Sequence, residues 1–167
     1  FTINKGEKIA LLGETGQGKS TVIDLLLRFR DPAQGTIYID DQDIKDMGIK
    51  DLRNLFSIVF QETGIFEGTI AENINLNSDK DKTDIINDPL IQDWLNKIDL
   101  KSRKNIRDLG KDLSGGQKQI VGILRALAQD SDILIFDEPT AAQDAISEKL
   151  FKDILNKVAD DKTVIFI

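Results

Sequence analysis

Cysteine and histidine are both missing from this chain of 167 residues. Without cysteine, the chain can form no disulfide, iron–sulfur cluster, cysteine-ligated zinc site or thiol nucleophile. Without histidine, it can contain no Ser-His-Asp triad, no HExxH zinc site and no imidazole general base. Proton transfer within this chain must therefore use a different side chain.

Positive charge is scarce, since 22 lysines and arginines stand against 29 aspartates and glutamates, for a net charge of −7. This balance excludes a large basic surface for a nucleic acid duplex, so we expect no nucleic acid partner. Any polyanion that binds must be held by a local group of residues.

Long apolar runs are also missing from the sequence. Runs such as Ile9-Ala10-Leu11-Leu12 and Ile133-Leu134-Ile135-Phe136 fall far short of the ~18 residues of a membrane helix. The N-terminus lacks the basic and apolar pattern of a signal peptide, and Phe1-Thr2-Ile3 already resembles a strand. We expect the chain to be cut from a longer protein, while its length and 40% hydrophobic content predict one folded domain.

Strand-like and helix-like spacings of apolar residues alternate along the chain. The predicted strands lie near residues 8–12, 36–40, 56–60, 133–136 and 163–167. Helical spacing occurs at Val22, Leu25, Leu26 and Phe29, and again within residues 91–98, 120–127 and 151–158. This pattern predicts an α/β fold with a mainly parallel sheet flanked by helices. We expect a single domain over residues 1–167, with its core at 1–60 and 115–167 and a helical insert at about 61–114.

A glycine-rich motif lies between the first strand and the first helix. The residues Gly13-Glu14-Thr15-Gly16-Gln17-Gly18-Lys19-Ser20 match GxxxxGK[ST] in the strand–loop–helix context that this motif requires. Glycines let successive N–H groups point at one phosphate group, and the helix N-terminus adds partial positive charge. Lys19 supplies a mobile cation, and the Ser20 hydroxyl is suited to coordinate Mg²⁺ shared with a nucleotide's phosphates. Together with Thr21, these residues are predicted to bind a nucleotide. The alternative is a glycine turn that caps a helix, but spacing, lysine, hydroxyl and context all agree with the phosphate-binding motif.

Two carboxylates, Asp137 and Glu138, follow the strand at residues 133–136, at the end where α/β sheets bind ligands. Because successive residues point opposite ways, Asp137 can face a magnesium ion while Glu138 is aimed at a water in line with the terminal phosphate. Glu138 would then act as general base or position the water, which permits phosphoryl transfer without histidine. The alternative is that both acids merely cap the following turn at Pro139-Thr140.

A second anion-binding helix start is predicted at Leu113-Ser114-Gly115-Gly116-Gln117. Its hydroxyl, two glycines and free N–H groups can together receive an anion. The alternative is a plain glycine-rich N-cap, and the spacing alone does not decide between the two.

These motifs together resemble the ATP-binding cassette (ABC) ATPase domains over nearly the whole chain. The resemblance rests on Walker A at Gly13 to Ser20, on Gln61 after a strand, on the signature at 113–117 and on Walker B ending in Asp137-Glu138-Pro139-Thr140. It implies a P-loop NTPase fold, ATP and Mg²⁺ as ligands, and hydrolysis of ATP to ADP and phosphate.

The resemblance also implies roles for single residues. Gln61 is similar to the Q-loop glutamine, which in the family contacts magnesium and the attacking water. On this basis Ser20, Gln61 and Asp137 would hold the metal, and Gln61 and Glu138 would be the catalytic pair.

Other positions are similar to the family's dimer contacts. Ser114, Gly115, Gly116 and Gln117 resemble the signature that touches the nucleotide held by the opposite subunit, so that two domains pack head to tail around two nucleotides. Asp144 resembles the D-loop aspartate at this interface, although an N-cap role for it holds equally well.

The stretch Gly68-Thr69-Ile70-Ala71-Glu72-Asn73-Ile74 resembles the exporter subgroup, in which it meets a transmembrane domain, fused or separate. The resemblance therefore implies transport-coupled ATP hydrolysis at the cytoplasmic face of a membrane. The alternatives are a soluble ABC-type ATPase without a membrane partner and a nucleotide-binding module without turnover. Asp41 stands where the family commonly has glycine, and the adenine-stacking aromatic and the switch histidine would lie outside this chain.

Overall fold

A computed structural model describes residues 1–14, 16–76, 84–100, 106–138, 149, 151–153, 156 and 162–167. The strands among these residues are β1 (Lys8–Ala10), β2 (Tyr38–Ile39), β3 (Gln42–Asp43), β4 (Phe56–Val59), β5 (Ile133–Phe136) and β6 (Thr163–Phe166). The helices are α1 (Lys19–Leu26), α2 (Ile49–Asn54), α3 (Ile70–Ile74), α4 (Asp84–Asn87), α5 (Pro89–Lys97) and α6 (Gly115–Ala128).

Four strands form a parallel sheet in the order β1-β6-β5-β4. In this register Ile135 of β5 lies between Ile58 of β4 and Ile165 of β6. Because these strands are parallel, the carboxyl ends of β1, β4 and β5 lie at one edge of the sheet although they are far apart in sequence. That edge positions the candidate site.

The strand predicted at residues 36–40 does not join this sheet. Its central residues form β2, which pairs antiparallel with β3 in a separate hairpin, with Ile39 opposite Gln42. Asp40 and Asp41 make the connecting turn with φ of 48° and 65°. Two consecutive residues with positive φ are what a two-residue hairpin turn of type I′ requires.

The sheet is covered on both faces, because successive strand residues point to opposite sides. In β5, Leu134 and Phe136 belong to a core cluster with α6 and α5, while Ile135 belongs to a second cluster with Ile23 of α1. The first cluster also contains Trp94, which is 1% exposed. Near-continuous apolar strands are the expected sequence for such a two-sided sheet.

Some predicted helix positions differ from the structure. Helix α1 ends at Leu26, and Phe29, which the spacing placed on the same apolar face, is 60% exposed. The guanidinium of Arg53 lies 4.8 Å from the centroid of the Phe29 ring, a cation–π contact at the surface. Of the last predicted helix, Phe151 is helical and buried, whereas Ile154, Leu155 and Val158 lie outside the described residues.

The segment predicted as a helical insert contains α3, α4, α5 and a 3-10 turn at Asp108–Gly110. An antiparallel bridge joins Gly68 to Ile106 within it. The boundaries at about 61 and 114 stay a prediction, since this segment shares the core cluster of α6. No helix among the described residues has both the length and the apolar character needed to cross a membrane.

Candidate functional site

The glycine-rich loop follows β1 and leads directly into α1. Gly16 and Gly18 have φ of 87° and 88°, a left-handed conformation that side chains disfavour, so glycine is favoured at both positions. Gly18 is the N-cap of α1 and offers no side chain to cap it. The first N–H groups of the helix are therefore left to receive an anion.

Lys19 holds this loop in shape and also faces the cavity beside it. Its ammonium donates to the carbonyl oxygens of Gly13 at 2.7 Å and Glu14 at 3.1 Å. An ammonium group has three donors, so these two bonds leave one for a phosphate oxygen. Gln17 closes the loop further, since its Oε1 accepts from the backbone N–H of Glu14 at 3.1 Å.

Asp137 and Glu138 follow β5 at the same edge of the sheet. The N–H of Asp137 donates to the carbonyl of Val59 at 2.9 Å, and that of Glu138 donates to the carbonyl of Ile167 at 3.0 Å. The two bonds tie the pair to both neighbouring strands. They sustain a φ of 46° at Glu138, a left-handed conformation of the kind that costs a non-glycine residue about 1–3 kcal/mol.

Gln61 meets Glu138 although the two are 77 residues apart in the sequence. Its Nε2 donates to Oε2 of Glu138 at 2.9 Å. Gln61 follows β4 as Glu138 follows β5, and these strands are parallel neighbours. The fold therefore brings the two predicted catalytic residues into direct contact.

The electrostatics of the site disfavour ionisation of Asp137. Partial burial raises the pKa of its carboxyl group, and the adjacent charge of Glu138 raises it further. The ammonium of Lys19 opposes both effects and lowers the pKa. A cation bound at Asp137 would act in the same direction as Lys19 and favour the ionised form.

Loop, helix and carboxylates surround one cavity of about 220 Å³. Its lining consists of Gly16, Gly18, Lys19, Ser20, Thr21, Asp137, Glu138 and Ile167. Pockets for whole small molecules are typically ~300–1,000 Å³, so this cavity suits the phosphate groups better than a complete nucleotide. The sequence analysis missed Ile167, because an apolar residue just after a strand carries no signal that it will line a site.

The donors around the cavity fit a magnesium ion. The hydroxyl of Ser20 and the carboxylate of Asp137 both line it, and oxygen atoms are the ligands that Mg²⁺ prefers. Three or more acidic side chains do not converge at any point in the part of the chain that the structure describes. Phosphate oxygens would therefore have to complete the coordination, as is usual for nucleotide-bound Mg²⁺.

The signature residues lie away from this cavity and begin α6. Ser114 is the N-cap, and its Oγ accepts from the N–H of Gln117 at 3.2 Å, while Oε1 of Gln117 accepts from the N–H of Ser114 at 2.9 Å. This reciprocal pair is a capping box, so the N-cap alternative is realised in the structure. Gly115 and Gly116 form the first turn of the helix, and none of the four residues lines the cavity. Thr15 and Asp144 lie outside the described residues.

Comparisons with known proteins agree with this geometry. The sequence model of the ABC transporter family matches residues 1–141. The chain is 41% identical to ABC transporter B family member 29, chloroplastic, of Arabidopsis thaliana, over 99% of this chain and 27% of that protein. It is 40% identical to the ATP-dependent lipid A-core flippase of Vibrio parahaemolyticus, over 100% of this chain and 30% of the flippase.

A solved structure has the same fold. The bacterial Atm1-family ABC exporter with ATP bound superposes with a TM-score of 0.83 and 35% sequence identity, over 97% of this chain and 29% of the exporter chain. This likeness confirms the predicted fold class. The chain spans less than a third of the length of these relatives. Members of the matched family are generally ATPases that bind ATP, usually with Mg²⁺. By its motifs, its fold and the family match, this chain belongs to the ABC transporter family.

Proposed function

We propose that this chain binds ATP with Mg²⁺ and hydrolyses it to ADP and phosphate, as the ATP-binding domain of an ABC transporter that exports its substrate. The observation that carries the proposal is the single cavity onto which both Lys19 and the Asp137–Glu138 pair open. Phosphoryl transfer requires a cation that binds the phosphate groups and carboxylates that bind the metal and orient the water, and this cavity brings both together.

Each residue has a role in this proposal that follows from its position. The phosphate groups are bound by the backbone of residues 13–18, by the N-terminus of α1 with Ser20 and Thr21, and by the third donor of Lys19. Ser20, Asp137 and Gln61 would hold Mg²⁺, and the ion would neutralise phosphate charge.

Glu138 is the general base of this proposal. Its carboxylate accepts a proton from the water as the water oxygen bonds to the terminal phosphorus of ATP. The bond from that phosphorus to the β-phosphate oxygen breaks, and ADP leaves with this oxygen. The amide of Gln61, which donates to Oε2 of Glu138 at 2.9 Å, orients the carboxylate for this step.

A second ATP-binding domain would complete each site. We assign Ser114, Gly115, Gly116 and Gln117 to the nucleotide held by that domain, because they form the N-terminus of α6, a position that favours anions, and do not line the cavity of this chain. Asp144 is assigned to the same interface by family resemblance. Bound ATP would then bridge the domains, and loss of the terminal phosphate would release them. The transmembrane domain, fused or separate, places the assembly at the cytoplasmic face of a membrane.

The test replaces the base in the full-length polypeptide. Glu138→Gln keeps a hydrogen-bonding side chain of the same size but cannot accept the proton, so we expect ATP binding to persist and turnover to fall by about 10²–10⁴-fold. ATP should also hold this variant as a dimer, measured by light scattering. Glu67→Gln, the same change at an exposed position, is the control and should turn over as the wild type does. Undiminished turnover, or only monomer at saturating ATP, would count against the proposal.

A further inference from the structure

Ile167 extends the pairing of β5 with β6 into the candidate site. Phe136 of β5 pairs with Phe166 of β6, so Ile167 is the next residue in register and lies beside Asp137. The N–H of Ile167 donates to the carbonyl of Phe136 at 2.9 Å, and its carbonyl accepts from the N–H of Glu138 at 3.0 Å. The backbone of Ile167 is therefore bonded to the residue on each side of Asp137.

The bond to Ile167 holds Glu138 in an unusual backbone conformation. In an extended strand, successive side chains point to opposite faces, which would place Glu138 on the face of Phe136 and away from Asp137. Glu138 instead has a φ of 46°, and it lines the same cavity as Asp137. The left-handed conformation thus allows both acidic residues to line one cavity. Because this conformation is strained, surrounding contacts must maintain it.

The side chain of Ile167 anchors this backbone bond to the core. It lies on the same face of the sheet as Ile165, and it is partly buried against the core cluster that contains Ile23 of α1 and Ile135 of β5. Because a β-branched side chain is stiff at χ1, this packing restricts the backbone of Ile167. The carbonyl that holds Glu138 is therefore fixed relative to α1, the helix that follows the glycine-rich loop.

We propose that Ile167 is a positioning residue for ATP hydrolysis, because its carbonyl and its packing against the core hold Glu138 turned toward the cavity. This inference rests on the proposed function, in which Glu138 is the general base. The N–H of Ile167 is bonded to Phe136 and its side chain is apolar, so Ile167 offers no hydrogen-bond donor to the phosphate groups. Loss of this support should slow the chemical step and leave binding of Mg-ATP nearly unchanged.

The experiment compares variants of the full-length polypeptide. Ile167→Ala removes the packing and the branch at Cβ, whereas Ile167→Val keeps the branch and most of the side chain. Ile39→Ala is the matched control, because Ile39 is partly buried against the same cluster but belongs to the β2–β3 hairpin and does not line the cavity. For each variant, kcat and KM for ATP, Mg-ATP affinity and melting temperature are measured, together with hydrogen exchange of residues 134–138 by mass spectrometry.

We expect Ile167→Ala to lower kcat by about 10- to 100-fold, which is the scale of a misplacement of about 1 Å. Mg-ATP affinity should stay within about threefold of the wild type, because Lys19 and the N-terminus of α1 are unchanged. Hydrogen exchange of residues 134–138 should become faster, since the N–H of Glu138 loses a firmly held acceptor.

The other two variants separate positioning from stability. Ile167→Val should keep kcat within about threefold of the wild type, because the branch at Cβ is retained. Ile39→Ala should lower the melting temperature as Ile167→Ala does, since both remove the same atoms from one cluster. Its kcat and its hydrogen exchange at residues 134–138 should stay near those of the wild type.

The positioning role is wrong if Ile167→Ala keeps the kcat of the wild type, if Ile39→Ala loses as much kcat, or if Mg-ATP affinity falls by the same factor as kcat. If Ile167→Ala does not fold, Ile167→Leu takes its place, because it keeps the volume without the branch at Cβ. Ile167→Leu must then lower kcat more than Ile167→Val does, and the opposite order overturns the role. In each of these results the wild type still hydrolyses ATP, so the proposed function survives. A wild type that binds Mg-ATP without any turnover would remove both proposals together.

Discussion

Replacement of Lys19 by methionine should weaken Mg-ATP binding strongly. The change keeps an unbranched side chain one atom shorter but removes the ammonium, which donates to two loop carbonyls, from a residue that lines the cavity. A hydrogen bond to a charged group contributes about 1.5–3 kcal/mol, and 1.4 kcal/mol corresponds to a tenfold change in affinity. Loss of the one donor left for phosphate should therefore raise the dissociation constant roughly 10- to 150-fold.

Titration calorimetry with Mg-ATP measures this change in the dissociation constant. The salt concentration is about 0.15 M, at which the Debye length is ≈ 8 Å. Lys5→Met is the control, because it removes the same charge from a residue before β1, at the opposite end of that strand from the loop. Because salt screens the distant charge of Lys5, the affinity of Lys5→Met for Mg-ATP should stay within about twofold of the wild type. Equal affinities for all three proteins, or equal losses for both variants, would refute a local role for Lys19.

The same substitution makes a second, electrostatic prediction. Lys19 is the group that lowers the pKa of Asp137 against burial and Glu138. Without it, the pKa of Asp137 should rise further, so Asp137 would be protonated at a higher pH. Binding of Mg-ATP should then be lost at a higher pH on acidification than in the wild type. A pH profile with the same midpoint in both proteins would contradict this coupling.

Two further predictions concern stability, measured by thermal unfolding. The raised pKa of Asp137 means that the folded protein disfavours its ionised form, so stability falls as pH rises from the ordinary carboxyl range through the raised pKa. Without nucleotide, Asp137→Asn should therefore raise the melting temperature near neutral pH, and this increase should vanish in acid. The same variant should lose the stabilisation that Mg-ATP gives the wild type. A lower melting temperature near neutral pH would count against the assigned electrostatics. Asp41→Gly removes a side chain from a turn position with φ of 65°. It should stabilise the protein by about 0.5–1 kcal/mol, which raises the melting temperature by about 1–4 °C. An unchanged or lower melting temperature would show that the aspartate is not strained there.

Local motifs were predictable because their geometry depends on neighbouring residues. Gly16 and Gly18 adopt the left-handed conformations that the motif uses, and Lys19 begins the helix directly after them. The apolar run at β5 was also predictable, since a strand buried on both faces needs no polar position. The end of α1 could not be predicted, because the exposed ring of Phe29 is covered by Arg53 from another helix.

The sequence by itself determined the glycine-rich loop before α1, the carboxylate pair after β5 and the family, because each of these depends on residue types at short, constant spacing. Only the tertiary structure decided that Gln61 bonds Glu138 and that Tyr38–Ile39 pairs with Gln42–Asp43 in a hairpin outside the sheet. Gln61 and Glu138 are 77 residues apart, so their bond depends on the order of the strands in the sheet, which no single stretch of sequence encodes. The hairpin is local, but whether its strands join the sheet depends on the arrangement of the other strands.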